Sequence, residues 1–254
     1  MARIKNEKEI KILKEGGKRL AEILAKVAKA VKPGVTTEEL DQLARTLIAK
    51  KKGDTPSFLH YTPEGVRRPY PAALCVSINE EVVHGIPSNR VIKDGDVVTV
   101  DLGLNHKGMF TDHATTVVVG KASKEVKNLI AGTKKAIAAG IKAAKPKATT
   151  GDIGSAIEKV LREHGLGVVK MLSGHGVGHA VHEEPFVPNY GNPGTGTSLA
   201  PGMVIAIEPM ATLGSGRVRV LADEYTYIAS DQKTACHFEH TVLITEKGSE
   251  ILTK

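Results

Sequence analysis

Tryptophan is absent from this chain of 254 residues, and aromatic residues together make up 4% of it. They do not interleave with the basic residues, so a base-stacking platform for single strands is excluded and no direct nucleic-acid function is expected. Only two cysteines occur, Cys75 and Cys236. They can close at most one bridge, too few for a disulfide scaffold or a zinc finger, which fits a reducing compartment. No apolar run approaches the length that spans a bilayer, and Met1-Ala2-Arg3-Ile4-Lys5-Asn6-Glu7 lacks the apolar core of a signal peptide. A cytoplasmic protein with no membrane partner is expected. What is present is ordinary globular material, 41% hydrophobic and 25% charged, long enough to bury a sizeable core. The net charge of +7 comes largely from lysines on polar helical faces, a solvated exterior.

Helical periodicity runs from Glu7 to Val31 through Ile10, Leu13, Gly17, Leu20, Leu24 and Val27, and Lys32-Pro33-Gly34 stops it. Thr36 and Glu39 have capping-box spacing for a second helix with Leu40, Leu43, Leu47 and Ile48 inward, ended by a basic turn and Gly53. Residues 53 to 72 read as an irregular loop. Short β-like runs follow at 73–78, 81–84, 97–102 and 111–119. Helical spacing then returns in Val126, Leu129, Ile130, Ile137 and Ile141, stops at Pro146, and resumes in Ile153, Ile157, Val160 and Leu161. Strands are predicted again at 167–172, 203–208, 218–228 and 236–245.

The order is therefore two helices then strands, twice. Local wording repeats with it: Val35-Thr36-Thr37-Glu38-Glu39-Leu40 echoes Ala148-Thr149-Thr150-Gly151-Asp152-Ile153, and Val83-His84-Gly85-Ile86-Pro87 answers Val181-His182-Glu183-Glu184-Pro185. An α+β fold is expected, with pseudo-twofold halves of about 1–122 and 123–254, antiparallel sheet, helices on one face and a cleft between. No linker divides the halves, so one domain is expected over 1–254.

The most unusual stretch is Ser173 to Pro185, with His175, His179 and His182 spaced by glycines that let backbone and ligands approach closely. By itself it reads equally as a metal site or as a solvated loop. Carboxylates at the ends of apolar runs weigh toward the first reading: Asp101 and Asp112 in one half, Glu208 and Glu239 in the other. Acids buried beside one another cannot all ionise without a compensating centre, and divalent metal supplies it. With His175 the set offers four oxygens and one nitrogen, suited to two ions bridged by carboxylates, of Mn, Fe, Co or Zn.

Together the motifs Val82-Val83-His84-Gly85-Ile86-Pro87, Val100-Asp101-Leu102-Gly103, Thr111-Asp112, Gly174-His175-Gly176-Val177-Gly178, His182-Glu183-Glu184-Pro185, Ile207-Glu208-Pro209-Met210 and Phe238-Glu239-His240-Thr241 span essentially the whole chain. The set resembles the pita-bread family of metallopeptidases, and within it the type I methionine aminopeptidases. The resemblance implies two divalent ions on Asp101, Asp112, His175, Glu208 and Glu239, and a metal-bridging hydroxide that attacks the first peptide bond of a peptide or nascent chain beginning with methionine. It implies that Glu208 also shuttles the proton, that His182 stabilises the oxyanion and that His84 contacts the scissile amide. Cys75, Tyr70, Val181, Tyr225 and the loop 57 to 72 would wall the methionine pocket. Where Tyr225 and Val181 stand the family often carries tryptophan and a bulky aromatic, a departure that bears on pocket size. For His113 and His179, beside the ligands, orienting a neighbouring ligand and plain solvation are both open, and His179 has no assigned role. The rival readings are a proline-specific aminopeptidase or dipeptidase of the same fold, and a non-catalytic pita-bread binding protein. A monomer is expected, and the basic exterior raises docking near the ribosomal exit tunnel as a hypothesis.

Overall fold

Reciprocal capping sets where the first two helices begin. In the computed structural model, which describes residues 3–63 and 65–254, α1 (Glu7–Ala30) starts at Asn6, whose side chain accepts from the Glu9 N–H while Glu9 accepts from the Asn6 N–H. Helix α2 (Thr37–Ala49) repeats the box with Thr36 and Glu39, and each such cap is worth about 1 kcal/mol. Met1 and Ala2 of the N-terminal segment, and Glu64 of the 57 to 72 loop, lie outside the described residues. The first half continues through β1 (Asp54–Pro56), β2 (Leu74–Ile78), β3 (Glu81–Val83), β4 (Val97–His106) and β5 (Met109–Val118). The second repeats the plan with α3 (Lys124–Ala143), α4 (Thr150–Glu163), β6 (Gly167–Val168), β7 (Ser173–Gly176), β8 (Glu183–Pro188), β9 (Val204–Ile207) and β10 (Met210–Thr212). It ends with β11 (Val218–Val220), β12 (Tyr227–Ala229), β13 (Ala235–His237), β14 (Glu239–Thr245) and β15 (Gly248–Ile251).

Among the described residues one nine-stranded antiparallel sheet crosses both halves in the order β1-β4-β5-β14-β9-β7-β8, with β2 beside β4 and β15 beside β14. The halves meet where β5 pairs with β14, His113 opposite His240, and those two imidazoles stack with centroids 4.5 Å apart. The apolar interior divides the same way. Val98, Val100, Leu102 and Leu104 of β4 pack against Leu20, Leu24, Leu40 and Ile48 of the first helix pair. Ile205, Ile207, Val242 and Ile244 pack against Leu129, Ile137, Ile153 and Ile157 of the second. Strand side chains alternate between faces, so the intervening positions, Asp101 among them, point away from the helices. No helix among the described residues is long and apolar enough to cross a membrane.

Several element expectations need correction. The stretch 218–228 is not one strand but the hairpin β11–β12, turned where the Asp223 carboxylate accepts from the N–H groups of Tyr225 and Thr226. The run 236–245 breaks at Phe238 into β13 and β14, and 167–172 is strand only at its first two residues. Within the expected 53–72 loop, β1 pairs with β4, anchored by Asp54 on His106 and Arg19. The glycine-rich stretch contains all of β7 and the start of β8.

Candidate metal centre

Register places the four acids on one face. Asp101 lies opposite Ala114 across β4–β5, and Ala114 lies opposite Glu239 across β5–β14, so Asp101, Ala114 and Glu239 form one row. Asp112 is two residues from Ala114 on the same face, and the alanine methyl between them leaves the space that a larger side chain would fill. Glu208 follows directly after β9, whose Ile207 pairs with His240. His175 enters from β7, where Gly176 pairs with Ile205.

The glycines flanking His175 serve the neighbouring strands. A Cβ at Gly174 would stand 2.4 Å from the Ala206 carbonyl oxygen, and one at Gly176 would stand 2.2 Å from that of Glu184. Gly178, at φ 140°, lies against the Lys5 side chain. The expected clearance around ligands is therefore clearance for β9, β8 and the N-terminal segment.

Asp112, His175 and Glu239 each offer one donor atom within 4.8 Å of the others. Asp101 and Glu208 line the same cavity, with Glu208 Oε1 3.5 Å from His175 Nε2. Asp101 Oδ1 and Glu239 Oε1 are buried with no hydrogen-bond donor. Burial first, and then the neighbouring acids, push Asp101, Glu208 and Glu239 well above the usual carboxylate range. Burial raises Asp112 to about 7. The same burial lowers His84 and His175 to about 4 and His182 to about 3, leaving neutral imidazoles able to ligate. Acid oxygens without donors, crowded by like charge and joined by a neutral imidazole, fit divalent cations, because a cation supplies the charge that lets them ionise.

His182 stands beside His175, ring centroids 4.4 Å apart, and its Nδ1 is 2.7 Å from the Tyr61 hydroxyl. With the phenol donating to Nδ1, the Nε2 nitrogen carries the proton. His84 lines the same cavity and has a left-handed backbone, φ 60°, at the end of β3. Cys75, Tyr70 and Tyr225 form its apolar wall together with Phe58 and Tyr61. Val181 packs in the same cluster without lining the cavity. The Cys75 thiol, pushed well above its ordinary value by burial and then by Asp101, is a protonated wall group. This cavity is small, about 60 Å³, whereas the adjoining cleft, which shares His84, His175, His182 and Glu208, is about 350 Å³ and opens past the exposed Phe186.

The two open histidines have different surroundings. His113 Nδ1–H donates to the Glu239 carbonyl and so steadies the backbone beneath that acid. His179 turns away from the cavity to Glu9, 2.9 Å from Nε2. Glu183 accepts from the backbone N–H groups of His179 and Ala180 and pairs with the buried Lys5 at 2.6 Å, so the N-terminal segment holds the loop leading to His182. Sequence reasoning passed over Tyr61 as an individual residue and missed His237, whose Nε2 lies 3.4 Å from Glu208 Oε2. The available signal for His237 was an imidazole two positions before Glu239.

The model of metallopeptidase family M24 matches residues 11–246. Methionine aminopeptidase 1 of Bacillus subtilis is 43% identical over 250 residues, covering 98% of each chain. The crystal structure of a methionine aminopeptidase from Thermotoga maritima superposes with a TM-score of 0.94 at 42% identity, covering 100% of both chains. A prolidase from Pyrococcus furiosus has a TM-score of 0.80 at 26% identity, with 99% of this chain but 65% of the prolidase covered.

Proposed function

The chain belongs to metallopeptidase family M24 and has its pita-bread fold, and from that premise we propose that it removes the N-terminal methionine of peptides and nascent proteins by metal-dependent hydrolysis. The observation that carries this reading is the set of four buried carboxylates and one imidazole beside a small, apolar-walled cavity that adjoins a wider cleft. In this reading the whole chain acts as one catalytic domain. Asp101, Asp112, His175, Glu208 and Glu239 hold two divalent ions, of Mn, Fe, Co or Zn. Such ions supply Lewis-acid activation of water and of the scissile carbonyl.

The remaining steps belong to the protein. The cavity walled by Cys75, Tyr70 and Tyr225 takes the methionine side chain, with Val181 behind it, and the wider cleft takes the rest of the substrate. The free amino terminus sits against the acids, which makes the enzyme an exopeptidase. Glu208 accepts a proton from the attacking water and returns it to the leaving amine. His182, with Nε2 protonated through the Tyr61 contact, donates to the developing oxyanion, and His84 contacts the amide that becomes the leaving group. Nascent chains would be met near the ribosomal exit tunnel by a monomer of net charge +7 in the cytoplasm.

Metal-stripped protein is expected to leave Met-Ala-Ser intact and to regain release of methionine when reconstituted with one or more of these ions in turn. Turnover in metal-free buffer overturns the metal reading. Preference for X-Pro over Met-Gly-X peptides would instead favour the prolidase relatives, against which the coverage of the methionine aminopeptidases over their full length stands. Salt-sensitive recovery in ribosome pellets tests the docking site.

A further inference from the structure

Among the described residues, His237 is the one histidine whose two ring nitrogens are both buried and without a hydrogen-bond partner. It ends β13, opposite Met210 of β10, and is 1% exposed. Its backbone is clamped from the acid-bearing face: the Thr116 hydroxyl donates to the His237 carbonyl at 2.6 Å and accepts from its N–H at 3.1 Å. The ring is thereby held with Nε2 3.4 Å from Glu208 Oε2, while the other oxygen of that carboxylate faces His175 Nε2 at 3.5 Å. Glu208 thus lies between two imidazoles, one at each oxygen.

An unused imidazole in this position is costly, since each buried polar atom left unsatisfied has given up its water with no bond in return. An apolar residue would cost less. The terminal torsion of glutamate is broad, and a modest swing about it brings Oε2 into hydrogen-bond range of Nε2.

We propose that His237 is a positioning residue of the hydrolytic site, its Nε2–H donating to Glu208 Oε2 and so fixing the carboxylate with Oε1 turned toward His175. The proposal rests on the reading of Glu208 as ligand and proton carrier. It makes a specific demand on side-chain chemistry: a donor of similar reach should replace the imidazole, and an isosteric apolar group should not.

The test compares His237→Leu with His237→Gln in the metal-loaded enzyme, with His237→Asn, whose amide is too short to reach, standing in if the leucine variant does not fold. The leucine (or asparagine) variant is expected to lose about 10–100-fold in kcat on Met-Ala-Ser with KM changed less than about threefold, and the glutamine variant to recover most of the loss. Calorimetric Co²⁺ affinity should stay within about tenfold of wild type, and the visible spectrum of the Co²⁺-loaded protein should shift in the leucine (or asparagine) variant and return in the glutamine variant. An unchanged kcat and spectrum overturn the proposal, as does a glutamine variant no better than the leucine (or asparagine) one. Loss of Co²⁺ binding equal to that of His175→Ala overturns it too, since His237 would then be a ligand. Wild type inactive on Met-Ala-Ser with any ion defeats the functional reading instead, and leaves the spectral comparison to decide the role of His237.

Discussion

The two halves use one scaffold for unequal tasks. In the first, Asp101 and Asp112 stand on a single hairpin, β4–β5, turned at Lys107 and Gly108, both with positive φ. In the second, Glu208 and Glu239 are separated by the whole stretch 209–238, which carries β10 to β13 and Tyr225 of the pocket wall. A hairpin sets its register through its turn, so short carboxylates suffice there. Longer glutamates reach the same centre from β9 and β14, which are joined by distant pairing. The imidazoles are unequal as well: His175, His182 and His237 come from the second half and His84 alone from the first. The paired elements give a common platform, the stretch between Glu208 and Glu239 adds His237 and the Tyr225 wall, and His175 and His182 come from the β7–β8 segment before it.

If both halves are needed for the metal, removing one acid from either should have the largest effect. Asp112→Ala and Glu239→Ala are each expected to abolish release of methionine and to cut Mn²⁺ binding in calorimetry, with the far-ultraviolet circular dichroism unchanged; activity surviving in either would show that one half suffices. The next effect concerns chemistry without metal binding. His182→Ala should lower kcat by about 10²–10³-fold with metal content near wild type, the usual scale for an oxyanion donor. A parallel fall in bound metal would assign it to the metal instead.

Lys5 joins the halves directly, since the first half's N-terminal segment neutralises Glu183 in the second. Lys5→Met leaves a buried carboxylate unpaired and is expected to cost about 3–5 kcal/mol in urea unfolding, with kcat falling through the His182 loop. Stability within 1 kcal/mol of wild type, a threshold far below that estimate, would dissolve the link. Tyr61→Phe removes one hydrogen bond across the halves and should reduce kcat about 2–10-fold, measured with KM for Met-Ala-Ser.

The smallest effect is on pH dependence without metal. Asp112 moves from 3.8 to about 7 on folding, so the folded state holds that proton more tightly than the unfolded chain. Its stabilisation is complete below about pH 4 and is lost as pH rises through about 7. Metal-free Asp112→Asn cannot undergo this loss, and its melting temperature should gain on wild type between about pH 4 and 7 and level off above that. A gap that does not vary with pH would contradict the burial of this acid.

Much of the scaffold was legible because periodicity and capping are local. The Thr36–Glu39 box and the apolar run Val97-Val98-Thr99-Val100 before Asp101 each lie within a few residues, and both appear in the fold, as does the repeated order of elements. The turn at Asp223 is equally local, but strand-like spacing over 218–228 does not register a carboxylate that accepts from two backbone N–H groups and reverses the chain. The acids were legible as a set because their motifs recur in both halves. His237 and Tyr61 were not, because nothing near them in the chain names their partners: Glu208 lies 29 positions from one and His182 lies 121 from the other.

By itself the sequence determined which residues could face a common cleft, since a period of two in strands and 3.6 in helices assigns each side chain to a face. It also supplied the candidate donors, four carboxylates and an imidazole, on which the proposed metal site rests. Only the tertiary structure decided the neighbours: Lys5 on Glu183, Tyr61 on His182, His237 on Glu208, and a small alanine between Asp101 and Glu239. Periodicity specifies a direction but not a distance. Whether a buried acid meets a cation, an imidazole or another acid depends on pairing between strands far apart in the chain, and that pairing is settled by the packing of the whole sheet against its two helix pairs.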